Sequence, residues 1–392
     1  MATQVATGHS RNESTRPAVR ECIEMARSAL SRPAAFGFLF ASSRHDLAAA
    51  LHEAESLTGA SILAASTAGE FTANQFHSGG VVVMLVASDT MISRAELVRN
   101  VRGAVDESAK RLAAPFAELV QEGRRRTYSA STTVVLVDGL SGEGEALVEA
   151  LRRNTRPFQQ VVGGAAGDDA QFRETVVGAR GAVSAKGAVA LHVVGERAWG
   201  VGLGTGLSPA TPRMMATRSR GNELREIDGR PAFEVYRDYA KKLGVDLTPE
   251  GAGPFMIQHE IGVFFLDELR YARAALKVNA DGSLLCAAAV AEGASLCFLT
   301  AEPDAMVAAT RSAAIEARNN LGGAAAAGVL VFDCVCRASI LGGRFDAELS
   351  AVRSVFGNVP VAGFMTYGEI ARYKGILQGW HNTTAVVVAI PA

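Results

Sequence analysis

Three short phrases in this 392-residue chain each set a glycine beside a carboxylic acid after an apolar run. They are "STAGEF" (Ser66–Phe71), "VVGGAAGDD" (Val161–Asp169) and "GFMTYGEI" (Gly363–Ile370). Glycine tolerates positive φ and lets a second backbone or a ligand approach closely. An acid next to it can accept several hydrogen bonds or hold an ammonium group, and two such acids suggest acid–base chemistry. Glu70, Asp168 and Glu369 are therefore candidate ligand-binding residues, together with their neighbours Gly163, Gly164 and Tyr367. The competing reading has each acid capping its own turn.

The seven histidines are the other chemical resource. His9 falls in a polar N-terminal stretch, and His45 and His52 on a helical pattern. His77 and His381 stand at related places, each shortly before a returning strand. His381 follows Trp380, an aromatic able to pack on a planar ligand. His259 opens an apolar strand. A histidine among apolar strands is ordinarily a hydrogen-bonded core residue, and a heme would change that reading, since imidazole is a common axial ligand.

The elements that must position these residues repeat. "AFGFLFAS", a helical "RHDLAAALHEAESLTG", "ASILAAST" and "GVVVMLVAS" form one unit around Gly69-Glu70. "STTVVLVDG", "SGEGEALVEALRRNT", "QQVVGGAAGDD" and "GAVALHVV" form a second, with Gly167-Asp168 at the turn. "GVLVFDC", "FDAELSAVRSVFG", "VPVAGFMT" and "TAVVVAI" form a third. Strands alternating with helices predict an α/β (mixed α+β) fold, with parallel pairing across each helix. If the units surround a pseudo-symmetry axis, the three acids approach one another. The segment 261–299 reads as a β meander, and the organisation expected is a polar tail and first helix over 1–30, then domains over 31–225 and 226–392.

Composition narrows the function. The net charge of −1, from 39 basic and 40 acidic residues, gives no electrostatic case for nucleic acid. Five cysteines without a C-x-x-C pair argue against a zinc or thioredoxin-like motif. The glycines of "GVGLGTG" fit neither a dinucleotide fingerprint nor a P-loop, and read instead as a strand approached closely by backbone. No hydrolase signature is present. A polar N-terminus and short apolar runs predict a cytoplasmic protein without membrane insertion.

Five phrases in order, "STAGEF", "VVGGAAGDD", "FDCVCRASILGGRF", "VPVAGFMTYGEI" and "HNTT", resemble the FIST sensory module over about residues 33–390. The first two are similar to its N-terminal half and the last three to its C-terminal half. The resemblance implies a ligand-sensing protein and not an enzyme. Within the family the chain resembles the stand-alone nitric-oxide-sensing group (NosP). That implies non-covalent heme b, a metal ligand at His381 with His259 as runner-up, and Trp380 beside the heme. It also implies a partner histidine kinase or cyclic-di-GMP enzyme, with a homodimer allowed. The alternative is a heme-free receptor for a small molecule such as an amino acid, whose ammonium meets Glu70, Asp168 or Glu369 and whose carboxylate meets Arg337.

Overall fold

The strand–helix–strand unit read in the sequence recurs three times in the computed structural model, which describes residues 3–73, 75–155, 159–265, 268–372 and 379–392. At the amino end, β1 (Thr3–Ser10) and α1 (Thr15–Ser28) precede the first unit. That unit comprises β2 (Phe36–Ser42), α2 (Leu47–Thr58), β3 (Ser61–Thr67), β4 (Glu70–Thr72), β5 (Phe76–His77) and β6 (Val81–Ser88). Next come β7 (Met91–Val98) and α3 (Val105–Arg125). The second unit follows: β8 (Ala130–Val137), α4 (Gly144–Arg153), β9 (Gln160–Ala165), β10 (Val177–Ala179), β11 (Ala182–Ser184) and β12 (Ala188–Gly195).

After β13 (Gly200–Gly204) the chain runs through β14 (Leu207–Pro209), β15 (Met214–Arg220), β16 (Glu223–Ile227), β17 (Arg230–Pro231), α5 (Ala232–Lys242) and α6 (Ala252–Gln258). It continues through β18 (Ile261–Phe265), β19 (Glu268–Arg273), β20 (Ala275–Val278), β21 (Leu284–Cys286), β22 (Ser295–Ala301) and α7 (Pro303–Asn319). The third unit is β23 (Ala326–Cys334), α8 (Val335–Leu341), α9 (Asp346–Phe356), β24 (Val361–Thr366), β25 (Glu369–Arg372), β26 (Trp380–His381) and β27 (Ala385–Pro391).

Local chemistry explains the elements. Asp46 caps α2 by accepting from the amides of Ala48 and Ala49, and Gly59 ends it at φ 66°. The apolar runs of β2, β6, β12 and β27 are covered on both faces, as continuous rather than alternating hydrophobicity requires. Each unit pairs its first two strands in parallel: β2 with β3, β8 with β9, β23 with β24. Each then sets its returning strand antiparallel to the first. The α/β expectation holds, and the sheets are mixed.

Strand exchange joins the units. The order in the first sheet is β1-β6-β2-β3-β10-β11, in the second β26-β25-β9-β8-β12-β7, and in the third β13-β27-β23-β24-β4-β5. The strand following each Gly-acid turn therefore leaves its own sheet. β4 of the first unit pairs with β24 of the third, β25 of the third with β9 of the second, and β10 of the second with β3 of the first. The exchange is cyclic, so the second and third sheets each contain strands from both sides of residue 226. All three sheets face one core, in which Phe36, Phe38 and Phe40 meet Val134, Leu136, Phe332 and Phe364. The Phe40 and Phe364 rings lie 4.7 Å apart.

A fourth sheet, ordered β19-β18-β22-β15-β16-β21-β20, stands on its own core around Tyr236, Ile261 and Phe298. The segment expected as a meander forms two hairpins, β18–β19, extended by β22, and β20–β21, held apart by β15–β16. The amino-terminal stretch also differs from expectation. Residues 3–10 pair along their length with β6, so His9 lies in a strand and not in a tail. Gly8 makes this possible, because a side chain there would fall on the Cys22 carbonyl of α1. The glycine strand β13 behaves as its spacing predicts: a Cβ at Gly200, Gly202 or Gly204 would strike the carbonyls of Ala317, Ala313 and Ala309 on α7.

Candidate functional site

The three Gly-acid turns meet as an interlocked ring. Ala68 donates its amide to the Met365 carbonyl (3.1 Å), and Met365 donates to the carbonyl of Gly69 (2.7 Å). Tyr367 donates to the Ala165 carbonyl (3.1 Å), and Ala165 donates to that of Gly368 (2.8 Å). Gly167 and Asp169 donate to the carbonyls of Ser66 (3.0 Å) and Thr67 (2.9 Å). Each turn thus grips the strand end of another unit, in the same cyclic order as the exchanged strands.

The acids close their own turns. Glu70 accepts from the Thr67 hydroxyl (2.7 Å) and the Gly80 amide (2.6 Å). Glu369 repeats this with the Thr366 hydroxyl (2.6 Å) and the Thr384 amide (3.1 Å). Burial pushes Glu70 up to about 8 and Glu369 well above the carboxylate range, against the hydrogen bonds that favour the charge. Burial thus favours the protonated form of both carboxyls.

Asp168 behaves differently. It accepts from the amides of Phe172 (2.8 Å), Arg173 (2.6 Å) and Glu174 (3.0 Å), and from the Tyr367 hydroxyl. Burial opposes its charge, yet the Tyr367 hydroxyl and these amides outweigh it and hold Asp168 below its ordinary value. Phe172 stacks on Tyr367 with ring centroids 4.7 Å apart. Gly163 and Gly164 lie inside the second sheet, between β8 and β25. A side chain at Gly163 would strike the Val135 carbonyl, and one at Gly164 the Thr366 side chain.

The "HNTT" segment forms a second node beside the ring. β25 and β26 set Glu369 opposite His381, as β4 and β5 set Glu70 opposite His77, so the two histidines are structural counterparts. His381 is buried with Nε2 3.0 Å from the Ala371 carbonyl. The Trp380 indole covers Gly144 at the start of α4 and Gly368 in the turn. Thr383 takes φ 52°, and its carbonyl accepts from Arg337 (3.4 Å) and the Thr205 hydroxyl (3.0 Å). Its own hydroxyl donates to Glu260, which burial lifts to about 8 despite that bond and the nearby Arg273 and Arg337.

Arg337 is wholly buried and spends its guanidinium internally. It donates to the carbonyls of Thr205 (2.5 Å) and Met306 (3.0 Å) and to the Thr310 hydroxyl (2.9 Å), and it pairs with Asp333 (3.1 Å) and Glu348. As placed, it braces the joint between α7, α8, α9 and the Thr383 turn. His259 sits apart from His381. Its Nδ1 lies 3.2 Å from the Leu299 carbonyl and 3.3 Å from the Tyr239 hydroxyl, and Phe255 packs on the ring at 4.4 Å. Burial holds its pKa below the ordinary histidine value.

Several members of this site carried no earlier signal. Glu260 neighbours His259 in sequence and Asn382 lies inside "HNTT", so both were within reach. The Asp333–Arg337 spacing of four residues was also visible, but it crosses from a strand into a helix. Glu348, Arg273 and its partner Glu145 (2.8 Å) come together only through tertiary packing. Four buried side-chain oxygens here have no hydrogen-bond partner among the described residues: Glu260 Oε2, Glu348 Oε2, Asn382 Oδ1, and Asp333 Oδ1, the last ion-paired with Arg337. No group of three or more histidine, cysteine or acidic side chains among those residues is arranged to hold a metal ion.

Comparison with known families decides the class. The FIST N domain matches residues 35–230 and the FIST C domain residues 232–372. The chain belongs to the FIST family. FIST domains are sensory, ligand-binding domains and not catalytic ones. No curated protein matches the chain. Two solved structures from Thermotoga maritima, PurL complexed with FGAR and phosphoribosylformylglycinamidine synthase II, align at 10% identity, covering 99% of this chain and 72% of theirs. Their TM-scores of 0.24 and 0.23 carry no inference about fold or activity. No helix among the described residues is long and apolar enough to cross a membrane.

Proposed function

We propose that this FIST protein is a receptor for a small molecule bearing N–H donors, an amino acid or related amine, taken up at the joint around Thr383. The carrying observation is the buried Asn382 Oδ1 left without a donor, beside a Glu260 carboxyl whose Oε2 has no hydrogen-bond partner among the described residues. Buried polar groups are almost always satisfied, so an unpaired acceptor calls for a donor from outside the chain. An ammonium group would supply one and would favour the ionised form of Glu260. Arg337, committed to internal partners, would hold the joint in register and leave the ligand's carboxylate to other groups. Because the turns interlock, a ligand that shifts the Thr383 turn shifts the strand ends of all three units. The response would pass to a partner such as a histidine kinase or a cyclic-di-GMP enzyme.

A thermal-shift screen with single amino acids and simple amines tests this, since a ligand binding only the native state raises Tm. We expect a concentration-dependent rise that Glu260→Gln reduces. A screen in which no amine stabilises the protein, or in which Glu260→Gln responds as fully as the parent, overturns the reading.

A second reading keeps non-covalent heme b and nitric oxide, and one observation favours it at His259 over His381. With Nδ1 donating to the Leu299 carbonyl, His259 would carry its lone pair on Nε2, the tautomer of a proximal ligand oriented by a backbone carbonyl. His381 instead has Nε2 engaged with Ala371, and Trp380 is packed against α4. Heme would supply an iron for nitric oxide. His259 would hold it, and Phe255 and Tyr239 would keep the imidazole neutral and fixed. The test is the visible spectrum of protein purified with added heme. A Soret band abolished by His259→Ala and retained in His381→Ala supports this assignment; no band, or one indifferent to His259, removes it.

A further inference from the structure

Away from the Thr383 joint, the loops at the carboxyl end of β8 enclose an open cavity of about 210 Å³. Arg102, Arg173 and Lys186 contribute to its wall, each from a different segment. Arg102 follows β7, Arg173 follows the Gly167-Asp168 turn, and Lys186 precedes β12. Among the described residues none of the three is paired with a carboxylate.

Two acids share the wall, Asp138 and Glu174, against the three cations. Asp138 is already committed: it is buried, and its Oδ1 accepts from the Thr175 hydroxyl (2.5 Å) and the Leu140 amide (3.0 Å). Glu174 is exposed.

The cavity occupies the place where α/β folds bind ligands, just outside the carboxyl ends of a parallel strand pair. One cation and the backbone beneath a second are ordered in advance. Arg102 fixes Nε and Nη2 on the Ser141 carbonyl (3.2 and 2.9 Å), and the Arg173 amide is pinned by Asp168 (2.6 Å). Side chains already held lose less entropy when they bind.

We propose that this cavity binds a small organic anion, recognised through a carboxylate or phosphate group by Arg102, Arg173 and Lys186. Guanidinium groups suit both oxyanions by bidentate hydrogen bonding. The proposal stands independently of amine binding at Thr383, and it adds a route between the two places. Asp168 shapes the loop carrying Arg173 and also takes the Tyr367 hydroxyl, so occupancy of the cavity is felt directly in the third unit.

Isothermal titration of the full chain with inorganic phosphate and, separately, with citrate tests the assignment, using chloride at matched ionic strength as control. We expect saturable binding of at least one anion, weakened tenfold or more in Arg173→Ala/Lys186→Ala. Both replaced side chains are exposed, so the double variant should keep the parent Tm without anion. Saturation by citrate alone identifies a carboxylate ligand, and by phosphate alone a phosphorylated one. Binding of neither beyond the chloride control, or binding indifferent to the double variant, overturns the proposal. Loss of anion binding with amine stabilisation intact separates this site from the one at Thr383.

Discussion

Replacing Arg337 with Met should lower Tm by about 4–6 °C, the largest effect expected of any single side chain at the joint. The guanidinium is fully buried between Asp333 and Glu348, each only 1% exposed. Removing one member of a buried ionic group leaves uncompensated charge or forces protonation, at a cost of about 3–5 kcal/mol. With an unfolding entropy of about 2.1 cal/mol/K per residue, that energy converts to the stated shift for a chain of this length. The carbonyls of Thr205 and Met306 lose donors at the same time. Arg337→Lys should fall between, since it keeps the charge but not the fork that reaches carbonyls and carboxylates together. Adding Asp333→Asn and Glu348→Gln to Arg337→Met should recover part of the loss. An unchanged Tm in Arg337→Met would show that the guanidinium does not brace the joint.

The second large effect is on pH dependence. Glu70 and Glu260 are both fully buried, and burial lifts each from 4.5 to about 8. The native state therefore keeps protons that the unfolded chain releases near the ordinary carboxylate value. Their contribution to stability is complete below about 4.5 and is lost as pH rises through about 8. Asp333 and Glu369, also raised by burial, act in the same direction. Histidines oppose them at lower pH. His77, lowered by burial and by nearby His9 and Arg11 from 6.5 to about 4, makes stability rise with pH across that interval. His45, His192 and His259 are shifted in the same sense, again chiefly by burial.

Above pH 6.5 the acids act without that opposition. Each contributes up to about 1.4 kcal/mol per pH unit, so stability should fall by a few kcal/mol between pH 6.5 and 8. Chemical denaturation across this range measures it, and Glu70→Gln and Glu260→Gln should each flatten the slope. A stability that is level or rising from pH 6.5 to 8 would mean that these carboxyls are not held neutral.

Much of this architecture is legible in the sequence because it is local. The strand–helix–strand order, the Gly-acid turns and the close approach at β13 follow from periodicity and glycine spacing. The equivalence of His77 and His381 does too, since each stands three residues before the start of a returning-strand segment. The exchange of strands was not legible. β4, β10 and β25 are three or four residues long, too short for their pattern to name a partner, and only the closed core decides which edge each completes. β1 was obscured by its small polar residues, which are buried because α1 lies directly on Gly8. Arg337 was legible as a chemical resource but not as a committed one. Its partners Thr205, Met306 and Glu348 come from distant segments, and nothing in their spacing announces the meeting.

The cyclic exchange also bears on how the chain comes to be folded. During synthesis the first two units emerge long before residues 369–391 exist. Until then β9 lacks the neighbour that β25 will provide, and β4 lacks the β24 edge on which it docks. An unpaired strand edge is a template for wrong pairing between chains. The nascent protein would therefore carry open strand edges until the third unit is made. Closure of the ring should come as a late, long-range step whose success depends on keeping those edges apart until the third unit arrives.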